Sequence, residues 1–159
     1  MNRKLKSMKN INTLDKRIIS HRGNLFGPEP ELENNPDFIM SALEAGYECE
    51  IDVWFVKDNL YLGHDEPQYE VNLKFLQNVK LWCHAKNLSA LDYMIQHNVH
   101  CFWHQSDDYT VTSQGIIWSY PGKKLVDSAI CVMPENIYEF NDLPECLGYC
   151  TDYPSKIIL

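Results

Sequence analysis

The residues able to do chemistry crowd into the first half of this chain. The stretch "IISHRGN" ends an apolar run by setting His21 beside Arg22. Adjacent cationic groups repel, so the pair makes sense when an anion lies against both. "YECEIDVWFV" carries Glu50 and Asp52 two residues apart, and on a strand that spacing turns both carboxylates to one face. Two carboxylates in an apolar strand are expensive without a compensating cation. A hard divalent ion such as Mg²⁺ or Ca²⁺ meets that need; a solvated strand face is the alternative. "YLGHDEP" adds His64 after a short β-like run. An imidazole on each side of a metal-bound phosphate makes an acid–base site.

In this order "HRG", "ELENN" and "YECEIDVWFVKDNLYLGHD" resemble the H-R-G, P-E-N-T, E-x-D and H-D motifs of the glycerophosphodiester phosphodiesterase family. That family lies in the PLC-like phosphodiesterase superfamily, and "LGYCTDYP" resembles its terminal T-D-x-P motif. The likeness is dense over residues 18–65 and thin over 148–154. It implies a (β/α)₈ barrel with His21 and His64 as the acid–base pair and Arg22 on the phosphate. Glu50 and Asp52 would hold the metal, with Glu33 and Asn34 in support. Glu31 and Asn35 stand where P-E-N-T has proline and threonine, so that motif is degraded.

"LWCHAK" matches the family's E-x-K strand, with His84 in place of the metal-binding glutamate and Lys86 kept near the phosphate. The resemblance implies Mg²⁺. Imidazole suits Mn²⁺ or Zn²⁺ and is a poor ligand for Ca²⁺, so His84 brings those two metals in, or binds none. The implied activity is hydrolysis of a small glycerophosphodiester-like substrate, as in lipid metabolism. The alternative is a binder of phosphorylated head groups on the same scaffold, without turnover. A third reading keeps the metal and changes the reaction, for example to a lyase.

The elements that must position these groups read as alternating strands and helices. Near-continuous apolar runs such as "RIIS", "KLWCHA" and "AICVMP" suit strands covered on both faces. Helices are expected in "NPDFIMSALEAG", "NLKFLQN" and "NLSALDYMIQHN", each opened by an Asn cap. In the last, Leu88, Leu91, Tyr93 and Ile95 loosely mark a helical face. Alternation gives an α/β fold with a parallel sheet. The gaps from "CFWH" to "GIIW" and from "WSY" to "AICV" are too short for crossover helices. The expectation is therefore a reduced (β/α) TIM-type barrel with helices missing in its second half. Residues 1–14 read as a polar tail and 15–159 as one domain.

Barrel logic places His104, Tyr120, Glu135 and Asp152 at strand ends, on the rim. His104 and Glu135 are taken as supporting site residues, and Trp118 and Tyr120 as core aromatics. Without outer helices, Ile116, Ile117, Ile130 and Val132 are expected to be exposed, which predicts a homodimer covering them.

Composition bounds the rest. The 159 residues carry a net charge of −8, with no basic stripe to bind nucleic acid. No apolar run is long enough for membrane insertion, and no apolar core follows the basic N-terminus to make a signal peptide. The six scattered cysteines then read as reduced, buried thiols in a cytoplasmic protein.

Overall fold

Ten strands join in one sheet in the computed structural model, which describes residues 16–158. The tail expected over 1–14 lies outside the described residues. In chain order the elements are β1 (Arg17–His21), α1 (Pro36–Glu44), β2 (Glu48–Val56), β3 (Asn59–Leu62), β4 (Tyr69–Val71) and α2 (Leu73–Leu76). They continue with β5 (Leu81–Ala85), α3 (Leu88–Gln96), β6 (Cys101–Phe102), β7 (Tyr109–Val111), β8 (Ile117–Ser119), β9 (Ala129–Val132) and β10 (Gly148–Thr151). Single 3₁₀ turns follow at Pro134–Asn136 and Pro154–Lys156.

Parallel pairing runs β6-β5-β2-β1-β10-β9-β8. The sheet curls so that its ends approach. Ser113, just past β7, donates its N–H to the Cys101 carbonyl at 2.7 Å, while β7 pairs antiparallel with β8. The second half of β2 leaves the parallel run and folds back as a hairpin with β3. Its two turn residues, Lys57 and Asp58, both have positive φ (51° and 64°), as a two-residue hairpin matched to strand twist requires.

All three expected helices form, each on its Asn cap. The Asn35, Asn72 and Asn87 side chains accept from first-turn N–H groups. The buried face of α3 is Ala90 and Met94, whereas Leu88 and Ile95 are exposed, a correction to the face read from the sequence. Asn87 also bonds both backbone groups of Phe55, tying α3 to β2.

Strand alternation sorts the apolar residues into layers. Cys49, Ile51, Val53 and Cys83 face α1 and α3. On the other face Ile19, Trp82, Phe102, Trp118, Ile130, Val132 and Cys150 fill the inside of the curl. Against the exposure expected of them, Ile130 is fully buried and Val132 nearly so, while Ile116 and Ile117 are half-buried. Where a helix is missing, irregular chain carrying Tyr138, Phe140 and Leu143 packs on Cys131, Cys146, Tyr149 and Ile157 instead. All six cysteines are buried free thiols. Burial pushes the Cys131 thiol up to about 12, which leaves it unreactive. Among the described residues no helix is long and apolar enough to cross a membrane.

Candidate metal and anion site

On the inner face, alternation stacks a polar tier above the apolar one at the carboxyl ends of the strands. His21 ends β1, Asp52 lies midway along β2 near the end of its parallel stretch, His84 lies near the end of β5 and Lys86 just past it. His104, Tyr120, Glu135 and Asp152 follow β6, β8, β9 and β10. Strand register sets Glu50 beside His21 and Asp52 beside His84.

Glu50, Asp52 and His84 each offer a ligand atom within 4.8 Å of the others, and both carboxylates are buried. His84 Nδ1 lies 3.2 Å from Asp52 Oδ1 and 3.8 Å from Glu50 Oε1. Its Nε2 is 3.0 Å from the His104 carbonyl, which can only accept, so Nε2 carries a proton. Nδ1 is then the nitrogen aimed at the carboxylates. A carbonyl that fixes the far ring nitrogen in this way is the usual support of a metal-binding histidine.

The charges are strongly coupled. Burial lifts the Glu50 carboxyl, and the Asp52 charge lifts it further. Burial would lift Asp52 as well, but the adjacent His84 imidazole and the Arg22 charge outweigh it and hold Asp52 far below the usual range. Burial would lower His84; the adjacent Asp52 carboxylate and the Glu50 charge raise it.

Arg22 sits just past β1 in a left-handed conformation (φ 56°), unusual for a long side chain. Its N–H donates to the Glu50 carbonyl and its carbonyl accepts from Asn34 N–H. Gly23 (φ 94°) follows, and a side chain there would strike the Phe38 ring. This turn aims the guanidinium back at the cluster. Arg22 Nη1 reaches Glu33 Oε2 at 3.1 Å. Its Nε lies 2.9 Å from Asp52 Oδ2 without the alignment of a hydrogen bond. Lys86 Nζ stands 3.5 Å from Asp52 Oδ1.

Asn34, also left-handed (φ 64°) and buried, clamps Asp52 twice. It donates to Oδ2 and accepts from the Asp52 N–H, both at 2.9 Å. His21 Nδ1 bonds Asp152 Oδ1 at 2.7 Å, which leaves Nε2 3.9 Å from Glu50 Oε2. Burial would lower the His21 imidazole, but the Asp152 bond and the Glu50 charge raise it. Asp152 in turn receives Asn24 Nδ2 at 2.8 Å, and its N–H donates to Glu135 Oε1 at 2.9 Å.

His21, Arg22, Glu33, Asn34, Glu50, Asp52, His84 and Lys86 are thus brought together. His64 is not part of this contact network. It is exposed and pairs with its neighbour Asp65 at 2.7 Å. The chain just before it is tied to β2, where Gly63 N–H bonds the Asp52 carbonyl. Asp152, placed on the rim by barrel logic, is the partner of His21. Asn24, fully buried and bonded to both Glu33 and Asp152, carried no role in the sequence reading. Its only signal was its place directly after His-Arg-Gly.

Buried side-chain atoms left without a hydrogen-bond partner concentrate at this mouth. They are Arg22 Nε, Glu50 Oε2, Asp52 Oδ1, both ring nitrogens of His104, and Glu135 Oε2, with His100 Nε2 and Ser119 Oγ besides. Such atoms are rare in a finished fold and ask for a ligand. Acceptors on the carboxylates suit a cation.

Comparison of the chain with protein-family models, with curated proteins and with solved structures finds no match.

Proposed function

We propose that this chain is a metal-dependent phosphodiesterase acting on a small glycerophosphodiester-like substrate, on a reduced (β/α) barrel. The observation that carries the reading is the convergence of Glu50, Asp52 and His84 within 4.8 Å, with unpartnered acceptors on both carboxylates. Polar groups gathered at the carboxyl ends of parallel strands support the barrel comparison.

Glu50, Asp52 and His84 would hold the cation. Two oxygens and one nitrogen suit Mn²⁺ or Zn²⁺ as well as Mg²⁺, and such an ion supplies Lewis-acid polarisation of a phosphoryl oxygen. The chain's own groups do the rest. Arg22 and Lys86, both beside Asp52, would neutralise the phosphate. Asp152 holds His21 by Nδ1, so Nε2 is the atom that takes or gives a proton. His64, exposed and paired with Asp65, would supply the second proton position.

A second reading, a binder of phosphorylated head groups without turnover, is favoured by one observation. Arg22 and Lys86 stand against Asp52 and offset its charge. One experiment separates the two. Bis(p-nitrophenyl) phosphate and glycerophosphodiesters are incubated with the protein in Mg²⁺, Mn²⁺, Ca²⁺ or Zn²⁺, beside His21→Ala and His64→Ala. Metal-dependent turnover lost in both variants supports the phosphodiesterase. Phosphoester binding with no turnover in any metal rejects it for the binder.

A further inference from the structure

We propose that Trp54 and Tyr61 form a stacking platform for a planar heteroaromatic ring, of the nucleobase class, carried by one alcohol of the diester. The inference rests on the phosphodiester reading above and goes beyond it to the second alcohol.

The placement follows from strand register. Cys49, Ile51 and Val53 face α1 and α3, with Phe55 packed beside them, so alternation turns Trp54 to the same side as Glu50 and Asp52. Across the hairpin Trp54 pairs with Tyr61, and Tyr61 pairs with Glu70. On the other flank Val53 pairs with Ala85, which brings Lys86 beside Trp54. Lys86, Trp54, Tyr61 and Glu70 thus make one row, next to the row that holds His84, Asp52 and Gly63. Two strand residues separate the rows, about 7 Å.

Both rings are half-buried, yet among the described residues neither packs on any of the three apolar clusters. The Trp54 indole N–H donates to the Gly63 carbonyl at 2.7 Å, which draws the ring toward the Asp52 row and fixes its plane. Gly63, tied to Asp52 through its N–H, adds no side chain there. Aromatic surface left uncovered at the edge of a charged cluster marks a recognition surface.

The neighbours in the row select the ligand. A quaternary ammonium is drawn to aromatic faces, but Lys86 beside Trp54 repels it. An acyl chain would strip water from Lys86 and Glu70 and compensate neither. A nucleobase carries no charge, stacks on an aromatic ring, and presents N–H groups on its edge to Glu70. Its phosphate, one short linker away, reaches Arg22 and Lys86, which stand 2.9 Å and 3.5 Å from Asp52. A single nucleotide needs only those two cations, so a chain of net charge −8 without a basic stripe can hold it.

The test is calorimetric titration of the Mn²⁺-loaded protein with adenosine 5′-monophosphate and ribose 5-phosphate, which differ by the base alone. The same titrations are run on Trp54→Leu and Tyr61→Leu. The nucleotide should bind wild type at least tenfold more tightly than ribose 5-phosphate. That preference should fall to threefold or less in either variant, with ribose 5-phosphate bound as in wild type. Tyr61→Leu decides if Trp54→Leu fails to fold. Equal affinity for the two ligands in wild type, a preference kept in both variants, or a parallel loss of both ligands in the variants overturns the platform and leaves the phosphodiester reading standing. Binding of neither phosphate by wild type overturns that reading, and the platform with it.

Discussion

Replacing Glu50 by Gln should make the metal-free protein more stable while abolishing its response to metal. Glu50 is 3% exposed, with Oε2 unpartnered. Its ligand oxygen and that of Asp52 lie within 4.8 Å, a separation worth roughly 3 kcal/mol of repulsion at an effective dielectric of about 20. His21 at 3.9 Å and His84 at 3.8 Å offset part of this, so removing the charge should gain about 1–2 kcal/mol. In a chain of this size each kcal/mol moves Tm by about 2–4 °C. Glu50→Gln should therefore melt about 2–8 °C higher than wild type in EDTA. Mn²⁺ at about 100 times its Kd adds roughly 2.7 kcal/mol to wild type and far less to a variant lacking one ligand. Differential scanning calorimetry at pH 7.5, with EDTA and then with MnCl₂, should show the order of the two proteins reverse. A variant less stable than wild type in EDTA, or an equal Mn²⁺ shift in both, would refute the reasoning.

Metal-free stability should also peak in mild acid. His21 and His84 are raised above 6.5, so the stability they contribute is full below that value and drains as pH climbs through their folded-state range. Glu50, raised above 4.5, acts in the same direction, because its charge becomes a burden as pH rises. Asp52 and Asp152, both lowered from 3.8, contribute stability above that value and lose it as pH falls. Tm measured in EDTA should then be highest between the carboxylate and imidazole ranges and decline on both sides. Asn34→Ala strands the Asp52 N–H and carboxylate and puts Ala at φ 64°; it should cost about 2–4 kcal/mol in urea unfolding. Asp152→Asn removes the carboxylate that orients His21, so kcat should fall about 10²–10⁴-fold. The limb of the pH–rate profile that reports His21 should also move to lower pH, a shift that a merely structural role would not produce.

Much of this arrangement was legible because two-residue alternation is a strong signal. It placed Glu50 with Asp52, and Trp82 with His84 and Lys86, on shared faces that the structure reproduces. The Asn caps were equally readable, since an amide side chain ahead of an apolar run has few better uses. Strands β4 and β7 were not. Each is three residues long, without a buried residue, and β7 lies in a polar loop where hairpin pairing and a few side-chain bonds hold it. The exposure expected for Ile130 and Val132 failed because a missing helix was equated with a missing cover. Both face inward, and the outer face is closed by aperiodic chain that leaves no repeat to read. Asn24 was invisible because its partner Asp152 lies 128 positions away.

The alternation of β2 also limits how this protein can vary. Glu50 and Asp52 occupy one side of the strand; Cys49, Ile51 and Val53 occupy the other and anchor α1 and α3. Losing or gaining a single residue between them would swap the sides, sending carboxylates into the helix seam and aliphatic groups into the mouth. Reactive groups and foundations are thus written into the same nine residues. Length variation in descendants of this chain should spare that segment and collect in the loops on either side.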